Sequence, residues 1–135
     1  MNQFKVQSIE ITADYVDAFN YISNPKNLPE WTNAFDSVTG DNAVMKTPSG
    51  VTEITLKVSS SRSQGTIDWL MRFPDGSEAK AYSRLIKLNE RRNAYVFILT
   101  APPVPLEELE GTLAEQSKIL KEELEHLQAI LSQRR

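Results

Sequence analysis

The only imidazole in this chain is His126, and there is no thiol. Without cysteine, a disulfide framework, a thiolate metal site and a cysteine nucleophile are all excluded. His126 projects about 130° from the leucine stripe of its helix, at 100° per residue, and should face solvent. The acids that fall on strands, Glu53 and Asp68, sit on the polar phase and read as solvated. No inward pair of carboxylates suited to acid–base work can be recognised. Nor is there a phosphate loop, a metal-ligand cluster or a nucleophile–base pairing. The reading is therefore no catalytic residue, no metal and no cofactor, with an enzyme unsupported by any motif. Among other polar groups, Gln116 and Ser117 could offer hydrogen bonds to a bound molecule, since a buried amide must find a partner. The alternative, that the helix is only partly covered there and both touch water, carries equal weight. Arg91 and Arg92 in NERRN read as a solvated hairpin tip. SSSRS, from Ser59 to Ser63, reads as a strand end, at the mouth of a cavity or simply at an edge.

Whatever positions these groups must be built from the hydrophobic pattern. Phe4 to Thr12, FKVQSIEIT, reads as a strand whose apolar phase shifts near Ser8, as a bulge would allow. Asp14 to Ile22 carries Val16, Phe19 and Ile22 at helical spacing. Asn24-Pro25 ends that helix, because the residue before a proline avoids the helical region. A second short helical turn from Pro25 holds Leu28 and Trp31, with proline near its first position. Strand-like runs follow around Val38 to Met45, Val51 to Ser59, Gly65 to Phe73, Glu78 to Leu88 and Ala94 to Thr100. Their short connections predict an antiparallel meander and not a parallel βαβ array.

The turn Phe73-Pro74-Asp75-Gly76-Ser77 suits a three-residue loop with glycine in the left-handed position. That loop sets Met71 opposite Ala79, Trp69 opposite Ala81 and Ile67 opposite Ser83, with large residues on one strand and small ones on the other. The opposite face then carries Asp68, Arg72, Lys80, Tyr82 and Arg84. A two- or four-residue loop would instead bring Tyr82 and Arg84 beside Trp69; the glycine position favours three.

APPVP, Ala101 to Pro105, ends the last strand and turns the chain into a long helix. On it Leu106, Leu109, Leu113, Leu120, Leu124, Leu127 and Leu131 form one narrow stripe, with Glu115, Lys118 and Glu122 on the other side. The stripe has a gap at Gln116 and Ser117.

Composition is consistent with one ordinary globular domain over residues 1–135, with 40% hydrophobic and 24% charged residues. A net charge of −3 leaves no electrostatic footprint for nucleic acid. MNQFKVQSIEIT lacks a signal-peptide core and no segment is long enough to span a bilayer. A soluble cytoplasmic domain without stable membrane insertion is expected, and a homodimer is left open.

The order is strand, two short helices, antiparallel strands, then one long amphipathic helix. In this order, and in IEITADYVDAFNYISNPKNLPEWT and YVFILTAPPVPLEELEGTL…LKEELEHLQAIL, the chain resembles the START-like or SRPBCC superfamily, the polyketide cyclase/dehydrase group. NPKNLPEWT is the most specific local feature. The resemblance implies an α+β helix-grip fold, a curved antiparallel sheet wrapped around the C-terminal helix. It also implies that the two short helices plug one end, with Trp31 and Leu28 as anchors. Small Ala79, Ala81 and Ser83 facing inward would leave space unless Trp69, Met71 and the leucines fill it, and apolar concave pockets are the usual ligand sites. By resemblance, the fold binds lipids, sterols, polyketides and other hydrophobic molecules. The residues assigned to such an interior are Ile54, Leu56, Ile67, Trp69, Met71, Ala81, Ser83, Phe97, Leu113, Gln116 and Leu120; the simpler reading of each apolar one is core. Three functions are weighed. The first is a carrier or sensor of a small hydrophobic molecule, and the second a cyclase- or dehydratase-type enzyme acting on one. The third is a protein-interaction module like the chaperone-activating or coenzyme Q-associated relatives.

Overall fold

The computed structural model describes residues 4–47, 50–100 and 106–133, with the side chains of 47 and 106–111 set aside. Among the described residues seven strands form one antiparallel sheet: β1 (Phe4–Thr12), β2 (Phe35–Thr39), β3 (Asn42–Thr47), β4 (Gly50–Ser61), β5 (Thr66–Arg72), β6 (Glu78–Asn89) and β7 (Arg92–Thr100). Their order is β1-β7-β6-β5-β4-β3-β2. The last six run as a meander, and β1 returns beside β7. Helices α1 (Tyr15–Ser23) and α2 (Leu28–Trp31) follow β1, and α3 (Leu106–Ser132) ends the described chain. The architecture is α+β and helix-grip-like, with the long helix held by the curved sheet.

Local chemistry accounts for the elements. The Asp14 side chain caps α1 by accepting from the Asp17 N–H at 3.3 Å. The helix buries Ala18, Phe19, Tyr21 and Ile22; Val16, expected on that face, is 40% exposed instead. Asn24 leaves the helical region before Pro25, as its position requires. Pro25–Asn27 makes one 3₁₀ turn, and α2 carries Leu28 and Trp31 into the core.

In the FPDGS turn Phe73 N–H donates to the Ser77 carbonyl at 2.9 Å, and Gly76 adopts φ +87°. The register that follows is the expected one: Met71 opposite Ala79, Trp69 opposite Ala81, Ile67 opposite Ser83. At the other end of β5, a Cβ on Gly65 would lie 2.2 Å from the Leu85 carbonyl oxygen, so only glycine lets that turn close on β6.

Two expectations are corrected. Val38 to Met45 is not one strand but parts of β2 and β3, because Gly40 at φ +59° turns the chain between Thr39 and Asn42. β1 has no bulge at Ser8: its pairing with β7 is continuous from Phe4–Thr100 to Thr12–Arg92. The alternation is unbroken, with Gln7, Ile9 and Ile11 inward and Phe4 and Val6 left outward, about half exposed. The apparent phase shift came from a polar residue at an inward position.

Along α3, Leu113, Leu120, Leu124, Leu127 and Leu131 are buried. The Ala101–Pro105 turn and the side chains of Leu106 and Leu109 lie outside the described residues. The helix comes nearest to β1 and α2. Leu120, Leu124, Leu127 and Leu131, the inner faces of β4 to β7 and the plug residues Leu28 and Trp31 belong to one apolar cluster.

Candidate functional site

The inner face of the sheet is organised in cross-strand rows. One row runs Ile67, Ser83, Phe97 and Gln7 across β5, β6, β7 and β1. The next runs Trp69, Ala81 and Leu99, and a third Leu56, Met71 and Ala79. Side chains in a row share a face and touch. The residues assigned from sequence therefore stand largely together. Ile54, Leu56, Ile67, Trp69, Ala81, Ser83 and Phe97 are buried on the sheet, the apolar ones in one cluster with Leu120 of α3, while Leu113 is buried outside that cluster. Met71 is half-buried against the same cluster. Gln116 is exposed and is not part of this group, because at 100° per residue it falls off the buried arc that Ser117 occupies.

Ser117 is buried and meets Gln7, whose Nε2 donates to the Ser117 hydroxyl at 2.9 Å and to its carbonyl at 3.3 Å. The gap in the leucine stripe and the interruption in β1 are thus one feature seen from two sides. Sequence reasoning noticed each and missed their pairing, since nothing local connects positions 110 apart.

A second polar group was missed altogether. Tyr95, fully buried on β7, donates its hydroxyl to Ser83 Oγ at 2.9 Å, and Ser83 in turn donates to the Ile67 carbonyl at 2.5 Å. Burial pushes the Tyr95 hydroxyl far above the usual tyrosine range, against the smaller opposing effects of the Ser83 hydroxyl and the Trp69 indole N–H. The group stays neutral and can exchange hydrogen bonds, but it does not supply a base at neutral pH. Among the described residues the Trp69 Nε1 meets no acceptor in strict hydrogen-bond geometry, its one recorded interaction being this weaker influence on Tyr95. The available signal was the alternation Asn93, Tyr95, Phe97, which places Tyr95 beside a residue already assigned inward.

Asn93, also fully buried, donates to the Ala13 carbonyl at 2.8 Å and to the Ile11 carbonyl at 3.5 Å, tying β7 to the start of α1. Its Oδ1 and the Trp31 Nε1 have no hydrogen-bond partner among the described residues. At the plug, Tyr21 donates to Glu30 at 2.6 Å, and Glu123 of α3 accepts from the Asn33 N–H at 2.5 Å. Burial raises the Glu123 carboxyl above the usual glutamate value, against the opposing pull of the Asn33 and Ala34 N–H groups.

The buried polar or charged residues among those described are Ser83, Asn93 and Ser117, so carboxylates and the imidazole stay outside that set. His126 is exposed, as its helical phase requires. No group of side chains among the described residues has the make-up of a metal site. Two clefts lie away from the sheet–helix interior. One, of about 600 Å³, is bounded by Tyr15, Arg62, Gln64, Arg84 and Lys87; the other, of about 340 Å³, lies at Ser37, Asn42 and Glu53.

The sequence matches no protein-family model and no curated protein. Solved structures do match. The protein XoxI from Bacillus cereus aligns with a TM-score of 0.71 at 14% identity, over 98% of this chain and 97% of that one. A START superfamily protein from Mycobacterium smegmatis aligns at 0.69 and 10% identity, over 98% and 99%. The Zhui aromatase/cyclase from Streptomyces sp. R1128 aligns at 0.71 and 8% identity, over 97% and 94%. At such identities the likeness is one of fold, and the fold is START-like, that of the SRPBCC proteins. No helix among the described residues is long and apolar enough to cross a membrane.

Proposed function

We propose that this protein holds a small hydrophobic molecule between the inner face of β4–β7 and α3. The observation that carries the reading is the inner face itself. Large Trp69 and Met71 stand opposite small Ala81 and Ala79 beneath a helix that presents leucines. A concave apolar surface with few polar groups is how proteins bind small apolar ligands. The START-like fold supports the same reading, since its solved examples include a START superfamily protein and an aromatase/cyclase. Holding is favoured over transforming. The polar groups described in the interior are the hydroxyls of Ser83, Tyr95 and Ser117, the amides of Gln7 and Asn93 and the Trp69 indole N–H, whereas acid–base chemistry asks for a titratable group poised near neutrality. The proposed lining is the sequence-assigned set without Gln116.

A second reading rests on the outer face of the sheet. There Val6, Ile98 and Tyr82 form one cross-strand row, with Phe4 and Val6 about half exposed. An exposed apolar patch of this kind suits a protein partner, which makes an interaction module the alternative.

Titration with an apolar fluorescent dye separates the two, backed by mass spectrometry of small molecules that co-purify with the native protein. Uptake at one site per chain that falls in Ala81→Leu and survives Val6→Ser supports the interior. The reverse pattern moves the function to the outer face, and no uptake by the folded chain removes the carrier reading.

A further inference from the structure

We infer that the cleft of about 600 Å³ between the start of α1, the β4–β5 turn and the end of β6 binds a small organic phosphate with an apolar body. Its lining carries three cationic side chains, Arg62, Arg84 and Lys87, and no carboxylate. That runs against the trend of a chain whose net charge is −3. The ion pairs among the described residues are Lys46–Asp36, Arg72–Glu78 and Arg92–Glu10, so none of the three cations is neutralised by one. Arg84 Nε donates to the Gln64 carbonyl at 3.3 Å, which steadies the guanidinium and leaves its terminal N–H groups for an anion. Three like charges around one cleft favour an anion between them. A phosphate monoester brings up to about two negative charges and three acceptor oxygens, where a single arginine would suffice for a carboxylate.

The apolar part of the ligand is argued from the same lining. Val16 and Ile86 are 40% and 39% exposed there, beside Tyr15, and an apolar body next to the phosphate removes them from water. The walls are held together before any ligand arrives. The Gly65 N–H donates to the Ser61 carbonyl at 2.7 Å, and the Leu85 N–H to the Gly65 carbonyl at 2.8 Å. The Tyr15 hydroxyl donates to the Arg62 carbonyl at 2.6 Å, tying α1 to the turn. A preformed concave site loses less to ordering when it binds, and its volume is that of a small-molecule site. Because the cleft lies away from the sheet–helix interior, this inference stands or falls independently of interior binding.

The test is equilibrium dialysis of the native chain against 1-naphthyl phosphate and, separately, inorganic phosphate. 1-Naphthyl phosphate should bind the more tightly, and added salt should weaken it. Exposed charge pairs contribute modestly, so Arg62→Gln and Lys87→Gln should each weaken it by roughly two- to fivefold, and together by roughly tenfold. Both substitutions keep the main-chain bonds of the turn, and circular dichroism checks the fold. Ile86→Ser should weaken 1-naphthyl phosphate and leave inorganic phosphate as it is, whereas Ala81→Leu, in the interior, should alter neither. Unchanged affinity in the folded double variant overturns the inference, as does equal affinity for the two phosphates. Binding lost in Ala81→Leu but kept in the double variant moves the probe to the interior and overturns it as well. Absence of 1-naphthyl phosphate binding also overturns it, and co-sedimentation of the chain with phosphatidic acid vesicles in that case would put a lipid surface in place of the small molecule.

Discussion

Replacing Ala81 by leucine adds three carbons at a position 4% exposed, facing Trp69 on one side and Leu99 on the other. If the interior beneath Ala81 is space that a ligand fills, those carbons are buried without displacing anything. At about 0.8 kcal/mol per methylene the gain is about 2 kcal/mol. If the same volume is occupied by packed side chains, the addition forces rotamers and strands apart at a cost of roughly 1–3 kcal/mol. The two outcomes differ in sign and by about 4 kcal/mol between their central values. For a domain of this size each kcal/mol moves the melting temperature by roughly 3–5 °C, so the separation exceeds 10 °C. The interior-binding reading expects Ala81→Leu to be neutral or stabilising in a thermal melt while weakening uptake of an apolar dye. A melt lowered by several degrees with dye uptake unchanged would refute the reasoning, because it would mean a filled core and a dye bound elsewhere.

Three further outcomes are expected. Trp31→Ala should lose roughly 3–5 kcal/mol in denaturant melts, since Trp31 is 1% exposed and anchors the plug with Leu28; a loss under about 1 kcal/mol would place it outside the core. His126→Ala should leave dye binding unchanged, because the side chain is exposed; a collapse in binding would contradict the phase of α3. Glu123 has its folded-state carboxyl raised above the usual value of 4.5, mainly by burial, so the folded state holds that proton more tightly than the unfolded chain. Its contribution to stability is therefore greatest below 4.5 and declines as pH rises through the elevated value. Glu123→Gln keeps an acceptor for the Asn33 N–H and cannot ionise. Relative to it, the native chain should lose stability between pH 4 and pH 7 in urea melts, and a relative gain would contradict the burial of this carboxyl.

Period, turn chemistry and register were legible in the residues themselves. The FPDGS loop set the pairing of Trp69 with Ala81 because glycine position determines loop length, and loop length determines every pair that follows. The leucine stripe of α3 and the proline-bounded plug were legible for the same reason: each depends on neighbours within a few residues. The Thr39–Asn42 turn was just as local and went unread, since Gly40 stands between two runs that alternate alike. Polar residues at inward positions behaved differently. Gln7 looked like a broken strand and Ser117 like a gap in a helix until the fold set one against the other. Tyr95 and Asn93 showed their inward phase only through alternation with Phe97 and gave no sign of their partners, and Glu123 gave none of its grip on the plug backbone. Apolar residues reveal their role by period alone, because water rejects them wherever they are. A buried polar group is tolerable only beside its partner, and where β1 meets β7 and α3 decides which partners arrive.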